Sequence, residues 1–134
     1  DEVGFKDQVE DVAGGKGADV IYDPVGGEVF DQSIRCINWG GRLLIIGFAG
    51  GTIPTLPVNY PLIKGFSVVG VRAGEFGRRD PLLGRENIDI INSLAEDNKI
   101  RPHICKIFDF IDSKKALEFL ENRELIGKVV IRIS

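Results

Sequence analysis

The hydrophobic and polar positions in the first half of the chain predict short strands that alternate with helices. Apolar runs at 18–22, 42–48 and 66–71 predict strands, and the run at 42–48 lacks polar alternation, which is typical of a strand buried on both faces. Apolar stripes among polar residues predict helices over 3–12 and 28–37. Strand, helix and strand joined by short glycine-rich segments are typical of a parallel sheet.

Glycine and proline mark the expected breaks in this pattern. Gly14-Gly15 follows the first predicted helix, and Gly40-Gly41 is expected to end the second. The segment 49–61 contains three prolines and two glycines, so we expect a loop there.

The second half of the chain follows a different pattern, with a polar, glycine-rich segment at 72–84 before the next apolar stripe. The pattern then predicts, in order, a helix over 85–98, a strand over 103–110, a helix that runs to residue 122 and a strand over 128–133. Asp112 or Ser113 can cap the second of these helices. Its apolar positions, which we expect to be buried, are Ala116, Leu117 and Leu120.

Composition narrows the class of protein. The chain has 134 residues, 43% hydrophobic and 28% charged, so it can bury one core and is not a disordered segment. Its 17 basic and 20 acidic side chains give a net charge of −3, which provides no basic surface for nucleic acid. The apolar runs are too short to span a membrane, so we expect no membrane partner.

The N-terminus suggests both a location and an origin for the chain. It is polar and acidic and does not resemble a signal peptide, so we expect a cytoplasmic protein. The sequence contains no methionine, which indicates a processed chain or a piece of a longer protein. A mitochondrial or other organellar location therefore stays open.

Few residues suggest catalytic chemistry. Cys36, Cys105 and the single histidine, His103, lack disulfide or metal-site spacing, and we expect reduced, half-buried cysteines. The pair Arg78-Arg79 is expected to lie solvated in a loop. The G-x-S-x-G elbow of hydrolases is absent, and we assign no residue as acid, base or nucleophile.

Two glycine-rich joints follow predicted strands, at 23–27 and 47–51. Ligands of parallel α/β sheets bind at the carboxyl ends of the strands, and glycine lets a ligand approach the backbone. Tight turns with no ligand explain the same glycines, so both interpretations stay open. The segment Gly15-Lys16-Gly17 precedes a strand and lacks a third glycine, so it is interpreted as a turn and not as a phosphate-binding loop.

Four segments, taken in order, resemble a known family. They read GKGADVIYDPVGG, FDQSIRCINWGGRLLIIGFAGG, LIKGFSVVGV after a proline-rich loop, and FDFIDSKKALEFLENRELIGKVVIRIS at the end. Together they resemble the quinone oxidoreductase (zeta-crystallin-like) group of zinc-independent medium-chain dehydrogenases/reductases, over essentially the whole chain. The resemblance implies only the C-terminal part of that family's longer chain.

The resemblance also implies a fold class and a division into domains. The class is α/β, with the C-terminal half of a Rossmann-like parallel sheet and an α+β C-terminal segment. Residues 1–72 correspond to the second half of the Rossmann cofactor-binding domain, and 73–134 to the segment that returns to a GroES-like catalytic domain. The family's pyrophosphate-binding loop belongs to the half that is not in this sequence.

The family's cofactor contacts map onto the ends of the predicted strands. The implied positions are Asp23, Val25 and Gly26 beside the ribose, Gly47, Phe48 and Ala49 beside the nicotinamide carboxamide, Val71 in the same pocket, and Lys128 near the phosphates. A solvated charge at the end of a strand explains Lys128 equally well.

The activity implied by the resemblance is hydride transfer from NADPH to a quinone or another activated alkene or carbonyl, without catalytic zinc; NAD stays open. Because half of the cofactor site is missing, we expect this chain alone to be inactive or nearly so. One alternative is a non-enzymatic module that forms a homodimer through the strand 66–71. Another is a fragment of an enoyl reductase or alcohol dehydrogenase of the same superfamily.

Overall fold

The computed structural model describes residues 4–121 and 125–133 and divides the chain into two compact units, Asp1–Phe76 and Gly77–Ser134. The elements of the first unit are, in order, α1 (Lys6–Val12), β1 (Ala18–Asp23), α2 (Gly27–Cys36), β2 (Ile37–Ile45), α3 (Asn59–Lys64) and β3 (Ser67–Gly70). The predicted alternation of strands and helices is confirmed for this unit. Val3, at the start of the first predicted helix, lies outside the described residues.

The three strands of the first unit form one parallel sheet in the order β1-β2-β3. Asp23 lies opposite Ile45, and Ile45 lies opposite Gly70, so the three strands end side by side. This confirms the predicted α/β class with a parallel sheet, and the right-handed connection rule explains why α2 returns across one face.

The core of the first unit lies between α2 and the sheet. Phe30 and Ile34, one helical turn apart, are buried together with Ile37, Leu43 and Phe66. Residues four apart share one face of a helix, so this spacing directs an apolar stripe of α2 at the strands. Leu43, at the middle of the sheet, is completely buried, but Arg42 is exposed and Leu44 is half-buried, so the prediction that this strand is buried on both faces is wrong for one face.

The prediction that Gly40-Gly41 ends a helix is wrong. The helix ends at Cys36, β2 begins at Ile37, and both glycines lie inside the strand, in a bulge opposite β1. Gly40 has φ of 74°, and a Cβ on Gly41 would lie 2.7 Å from the Ile37 side chain. The glycines therefore mark a bulge, which sequence patterns do not distinguish from a helix end.

The predicted loop at 49–61 is displaced by three residues toward the N-terminus. Residues 46–58 form the connection, whereas α3 begins at Asn59 and includes Pro61. Proline is compatible with the first turn of a helix because the amide hydrogens there have no partner within the helix. The predicted strand at 42–48 also ends earlier, at Ile45, so Gly47 and Phe48 lie in the connection.

The next helix, α4 (Ala73–Arg79), spans the boundary between the units in sequence. It contains Arg78 and Arg79 in its last turn, so the prediction that they lie in a loop is wrong. Helix α5 (Pro81–Glu96) starts four residues before the predicted 85–98. Its start is fixed by Pro81 and by the Asp80 carboxylate, which accepts a 3.0 Å hydrogen bond from Leu83 N–H.

The rest of the second unit consists of β4 (Ile104–Asp109), α6 (Ser113–Glu121) and β5 (Lys128–Arg132). The two strands pair in parallel, as a strand–helix–strand unit. Both predicted strands and the helix between them are confirmed. Residue 122, the predicted end of the helix, lies outside the described residues.

The buried side of α6 differs from the prediction. Ala116 is buried, but Leu117 is 60% exposed and Leu120 is 42% exposed, so the prediction that all three are buried is wrong. The Phe119 ring instead lies 6.0 Å from that of Phe108 on β4. Ala116 and Phe119 are three residues apart and share a face, whereas Leu120, four residues from Ala116, borders the same face but stays exposed.

No helix among the described residues is long and apolar enough to cross a membrane.

Lys64 closes the C-terminal end of α2. Its ammonium donates hydrogen bonds of 2.7 Å to the Ile34 carbonyl and 2.8 Å to the Arg35 carbonyl. The last carbonyls of a helix have no partner within the helix, and a positive charge there is favourable. Lys64 therefore attaches α3 to the end of α2.

We expect Lys64→Met to lower the free energy of unfolding by about 1–2 kcal/mol, because two carbonyls lose a charged donor. The measurement is urea unfolding followed by Trp39 fluorescence; Trp39 is the single tryptophan, and its ring packs against Gly65 in the first unit. Lys16→Met, at an exposed turn residue, is the control. Equal midpoints for the two variants would contradict the assignment.

Candidate functional site

Three segments meet at the carboxyl ends of the parallel strands. Because Asp23, Ile45 and Gly70 are in register, the residues after each strand emerge along one edge of the sheet. Val71 N–H donates a 2.9 Å hydrogen bond to the Ile45 carbonyl, which continues the pairing one residue beyond β3. This edge is where a parallel α/β sheet binds its ligands.

The segment after β1, residues 24–27, is organised by the side chain of Asp23. This carboxylate is only 2% exposed, and its Oδ1 accepts hydrogen bonds of 2.8 Å from Val25 N–H and 2.9 Å from Gly26 N–H. The Asp23 main-chain carbonyl accepts from Ile46 N–H at 2.9 Å. The carboxylate thus closes a side-chain-capped turn just before α2, without capping the helix itself.

The segment after β2 is hydrogen-bonded directly to the segment after β1. Ala49 N–H donates to the Pro24 carbonyl at 3.0 Å, and Gly50 N–H donates to the Val25 carbonyl at 2.9 Å. These bonds join two connections that are more than twenty residues apart in sequence. The two glycine-rich joints therefore form one continuous backbone surface.

Close packing explains the glycines in this surface. A Cβ on Gly26 would lie 3.0 Å from Phe48 Cδ1 and 3.0 Å from the Thr52 carbonyl oxygen, at a φ of 73°. A Cβ on Gly50 would lie 3.0 Å from the Val25 carbonyl oxygen. Both positions therefore require glycine, the first for conformation as well as for space.

A depression of about 400 Å³ lies next to this surface, on the side of α2. Its lining residues are Gly27, Glu28, Asp31, Thr52, Ile53, Pro54 and Thr55. Two carboxylates and two hydroxyl groups therefore face a ligand there. Such a lining disfavours a polyphosphate and suits an uncharged, hydrogen-bonding group.

The structure brings seven of the eight residues predicted to contact the cofactor together at the edge of the sheet: Asp23, Val25, Gly26, Gly47, Phe48, Ala49 and Val71. The eighth, Lys128, is the first residue of β5 in the second unit, with an exposed side chain. Its N–H donates a 2.8 Å hydrogen bond to the His103 carbonyl. Cofactor contacts at all eight positions stay predictions.

Sequence reasoning missed the residues that line the depression. Thr52 and Pro54 lie in a connection that was interpreted only as a loop, and Glu28 and Asp31 were not distinguished from other helix charges. The loop lies over the start of α2 through long-range contacts that have no local pattern. The role of Asp23 did have a local signal. An aspartate side chain favours a turn in which it accepts hydrogen bonds from the backbone amides two and three residues later.

Nucleophilic and metal chemistry find little support among the described residues. Cys36 is buried, and burial raises the pKa of its thiol above the ordinary value, which keeps it protonated at neutral pH. Cys105 is exposed, not half-buried as predicted. Residues 4–121 and 125–133 contain no group of three histidine, cysteine or carboxylate side chains close enough to share a metal ion.

The sequence profile of a family described as zinc-binding dehydrogenase matches residues 1–131. The chain belongs to this family. A curated relative, the quinone oxidoreductase-like protein 2 homolog of Nematostella vectensis, is 39% identical over 128 residues, which are 95% of this chain and 35% of the relative. The 2-haloacrylate reductase of a Burkholderia species is 26% identical over 135 residues, 95% of this chain and 38% of that protein.

A mycobacterial structure determined in complex with NADPH matches the fold with a TM-score of 0.79 at 23% identity, over 99% of this chain and 41% of that one. The chain thus spans little more than a third of the curated relatives it matches. Its parallel sheet and helices match the Rossmann-like C-terminal part of medium-chain dehydrogenases/reductases, which confirms the resemblance drawn from the sequence. Independence from zinc, expected from that resemblance, stays a prediction.

We expect Gly26→Ala to lower the free energy of unfolding by at least about 2 kcal/mol, because a side chain there adds steric overlap to an unfavourable backbone conformation. Gly51→Ala is the matched control: its φ is 85°, but a Cβ there meets nothing within 4 Å. It should cost only about 1 kcal/mol. Equal losses, measured by urea unfolding with Trp39 fluorescence, would show that packing against Phe48 and Thr52 is unimportant.

Proposed function

We propose that this chain forms the nicotinamide side of the cofactor site of an NADPH-dependent oxidoreductase. The reaction is hydride transfer to a quinone or to another activated alkene or carbonyl. The observation that carries the proposal is the hydrogen-bonded pair of glycine-rich joints at the carboxyl ends of adjacent parallel strands. Membership of the dehydrogenase family and the NADPH complex of a similar fold support it.

The charges around the joints favour the uncharged end of the cofactor. The Asp23 carboxylate is bound to the amides of the turn before α2, and Glu28 and Asp31 line the neighbouring depression. A pyrophosphate is therefore disfavoured here, whereas a carboxamide finds backbone groups and the Thr52 and Thr55 hydroxyls. The phosphates then need a separate binding loop, as the family resemblance implies.

The protein's part in this reaction is binding and orientation. A bound cofactor would supply the hydride, and the backbone of 47–49 and Val71 would hold its carboxamide. The joint at 24–26 supports that backbone through the Ala49 and Gly50 hydrogen bonds. No described residue is assigned a proton-transfer role.

The substrate is proposed only as a chemical class. The names of two relatives, quinone oxidoreductase-like protein and 2-haloacrylate reductase, refer to a quinone and a haloacrylate, and both of these molecules contain an electron-poor double bond. The alternative that the chain is a fragment of an enoyl reductase of the same superfamily is compatible with this substrate class. Since a shared fold supports many substrates, the class is argued from the names of relatives and not from this site.

We expect reduced nicotinamide mononucleotide to shift the NMR amide signals of Gly26, Ala49 and Val71 in the labelled chain. Phosphorylated ADP-ribose, the other half of NADPH, should shift none of them, because its phosphates face carboxylates here. The Gly17 amide, at the amino end of β1, is the internal control. Shifts caused only by the ADP-ribose half would contradict the proposal.

The chain alone should bind NADPH weakly and oxidise it in the presence of a quinone no faster than buffer does. The physical reason is that a helix N-terminus able to hold the pyrophosphate contributes much of dinucleotide affinity, and the carboxylates of Glu28 and Asp31 disfavour an anion beside the start of α2. Turnover at the rate of a full-length relative would refute the proposed inactivity.

We also propose that the chain forms a homodimer through β3. This strand is at the end of the sheet order, and all four of its residues are exposed, with Val68 at 40% and Val69 at 37%. An exposed apolar edge strand is prone to pair with another strand. The same strand would form the interface if the chain is a non-enzymatic association module, which is the alternative function.

Val68→Pro should convert the dimer into a monomer without unfolding the sheet. Val71 N–H points toward β2, so by alternation Val69 N–H does too, while Val68 N–H points away from β2. Proline at 68 therefore removes a donor only from the outer edge. Light scattering measures the mass, with Trp39 fluorescence as a check of folding; a monomeric unmodified chain would refute the dimer.

A further inference from the structure

The Asp23 side chain has an unusual position for a residue predicted to touch a cofactor. It is almost fully buried, and both of its hydrogen bonds are to backbone amides of the following turn. The turn residues Pro24 and Val25 in turn present the carbonyls that accept from Ala49 and Gly50. A single carboxylate oxygen thus begins a chain of hydrogen bonds that runs through the first joint into the second.

We propose that Asp23 is the positioning residue of this site and acts through the two joints instead of contacting the cofactor. This inference rests on the proposed function for the identity of the ligand but not for the hydrogen-bond chain itself. With Oδ1 in place, Val25 and Gly26 are held so that the Pro24 and Val25 carbonyls point at the second joint. Ala49 is then fixed where a carboxamide would meet it.

What the joints need from residue 23 is an acceptor oxygen at the right distance. Both donors are uncharged amides, and a single oxygen accepts both. The side chain of asparagine also has an oxygen at this position, with two lone pairs. Asn should therefore replace Asp with little loss, whereas Ala removes the acceptor and leaves two amides without a partner.

The test is hydrogen exchange of individual amides in the 134-residue chain, comparing Asp23→Ala with Asp23→Asn. In Asp23→Ala we expect exchange of Val25 and Gly26 to speed up by about tenfold or more, with a smaller increase of the same sign at Ala49 and Gly50. Asp23→Asn should stay within about threefold of the unmodified chain at all four amides. Ile46 N–H, which binds the main-chain carbonyl of residue 23, is the internal reference and should not change.

Asp19→Ala is the matched control. Asp19 is on the same strand, and its carboxylate accepts a 2.7 Å hydrogen bond from Asn38 Nδ2 at the other end of the sheet. Its removal should leave the four amides unchanged. If Asp23→Ala fails to fold, Asp23→Ser retains one shorter acceptor and should show the same pattern of amides with smaller increases.

Three results would overturn the proposal. Unchanged exchange at Ala49 and Gly50 in Asp23→Ala would show that the carboxylate does not act on the second joint. If the four amides exchange equally fast in Asp23→Asn and Asp23→Ala, the charge of Asp23 matters and not the position of its acceptor oxygen. If Asp23→Ala loses the NMR shifts caused by reduced nicotinamide mononucleotide while its amide exchange is unchanged, Asp23 contacts the ligand directly.

The proposed function fails separately from this inference. If reduced nicotinamide mononucleotide shifts no amide of the unmodified chain, the assignment of the ligand is wrong, while the exchange rates still decide whether Asp23 positions the joints. Conversely, all variants could show the normal NMR shifts with reduced nicotinamide mononucleotide and unchanged amide exchange. That result would leave the cofactor site intact and show that Asp23 does not position it.

Discussion

Backbone hydrogen bonds between the segments after β1 and β2 are the constraint on which the candidate site depends. They exist because the strands are parallel and in register, so that Asp23 and Ile45 end side by side. Glycine at 26 and 50 allows the two segments to approach within hydrogen-bonding distance, because a Cβ at either position would lie 3.0 Å from a carbonyl oxygen of the neighbouring segment. Any ligand at this edge meets a surface made largely of main-chain groups.

That constraint also determines which kind of ligand fits. A βα joint with free amides at the start of a helix binds anions. Here the Asp23 carboxylate accepts from two amides of the joint, and the acidic lining of the depression beside α2 adds negative charge. In our proposal, this joint therefore binds an uncharged group and not a phosphate.

The rest of the first unit supports this edge from behind. Phe30 and Ile34 of α2 pack on Leu43 in the centre of the sheet, and Lys64 holds the far end of the same helix. The helix that begins at the candidate site is therefore fixed at its middle and at its C-terminal end. A rigid α2 keeps the preceding joint, 24–26, in one position.

The sequence by itself determined the order of the strands, the parallel class and the two segments that form the candidate site, because apolar runs and glycines are local signals, but it did not indicate helices α3 and α4. It did not determine what Gly40 and Gly41 do, since a bulge and a helix end require the same backbone freedom. The sequence pattern also predicts burial of Leu117 and Leu120, but both are exposed, because the part of α6 that packs depends on where Phe108 lies. Only the tertiary structure decided that the two joints bond to each other, because those contacts join residues more than twenty positions apart, which no local pattern records.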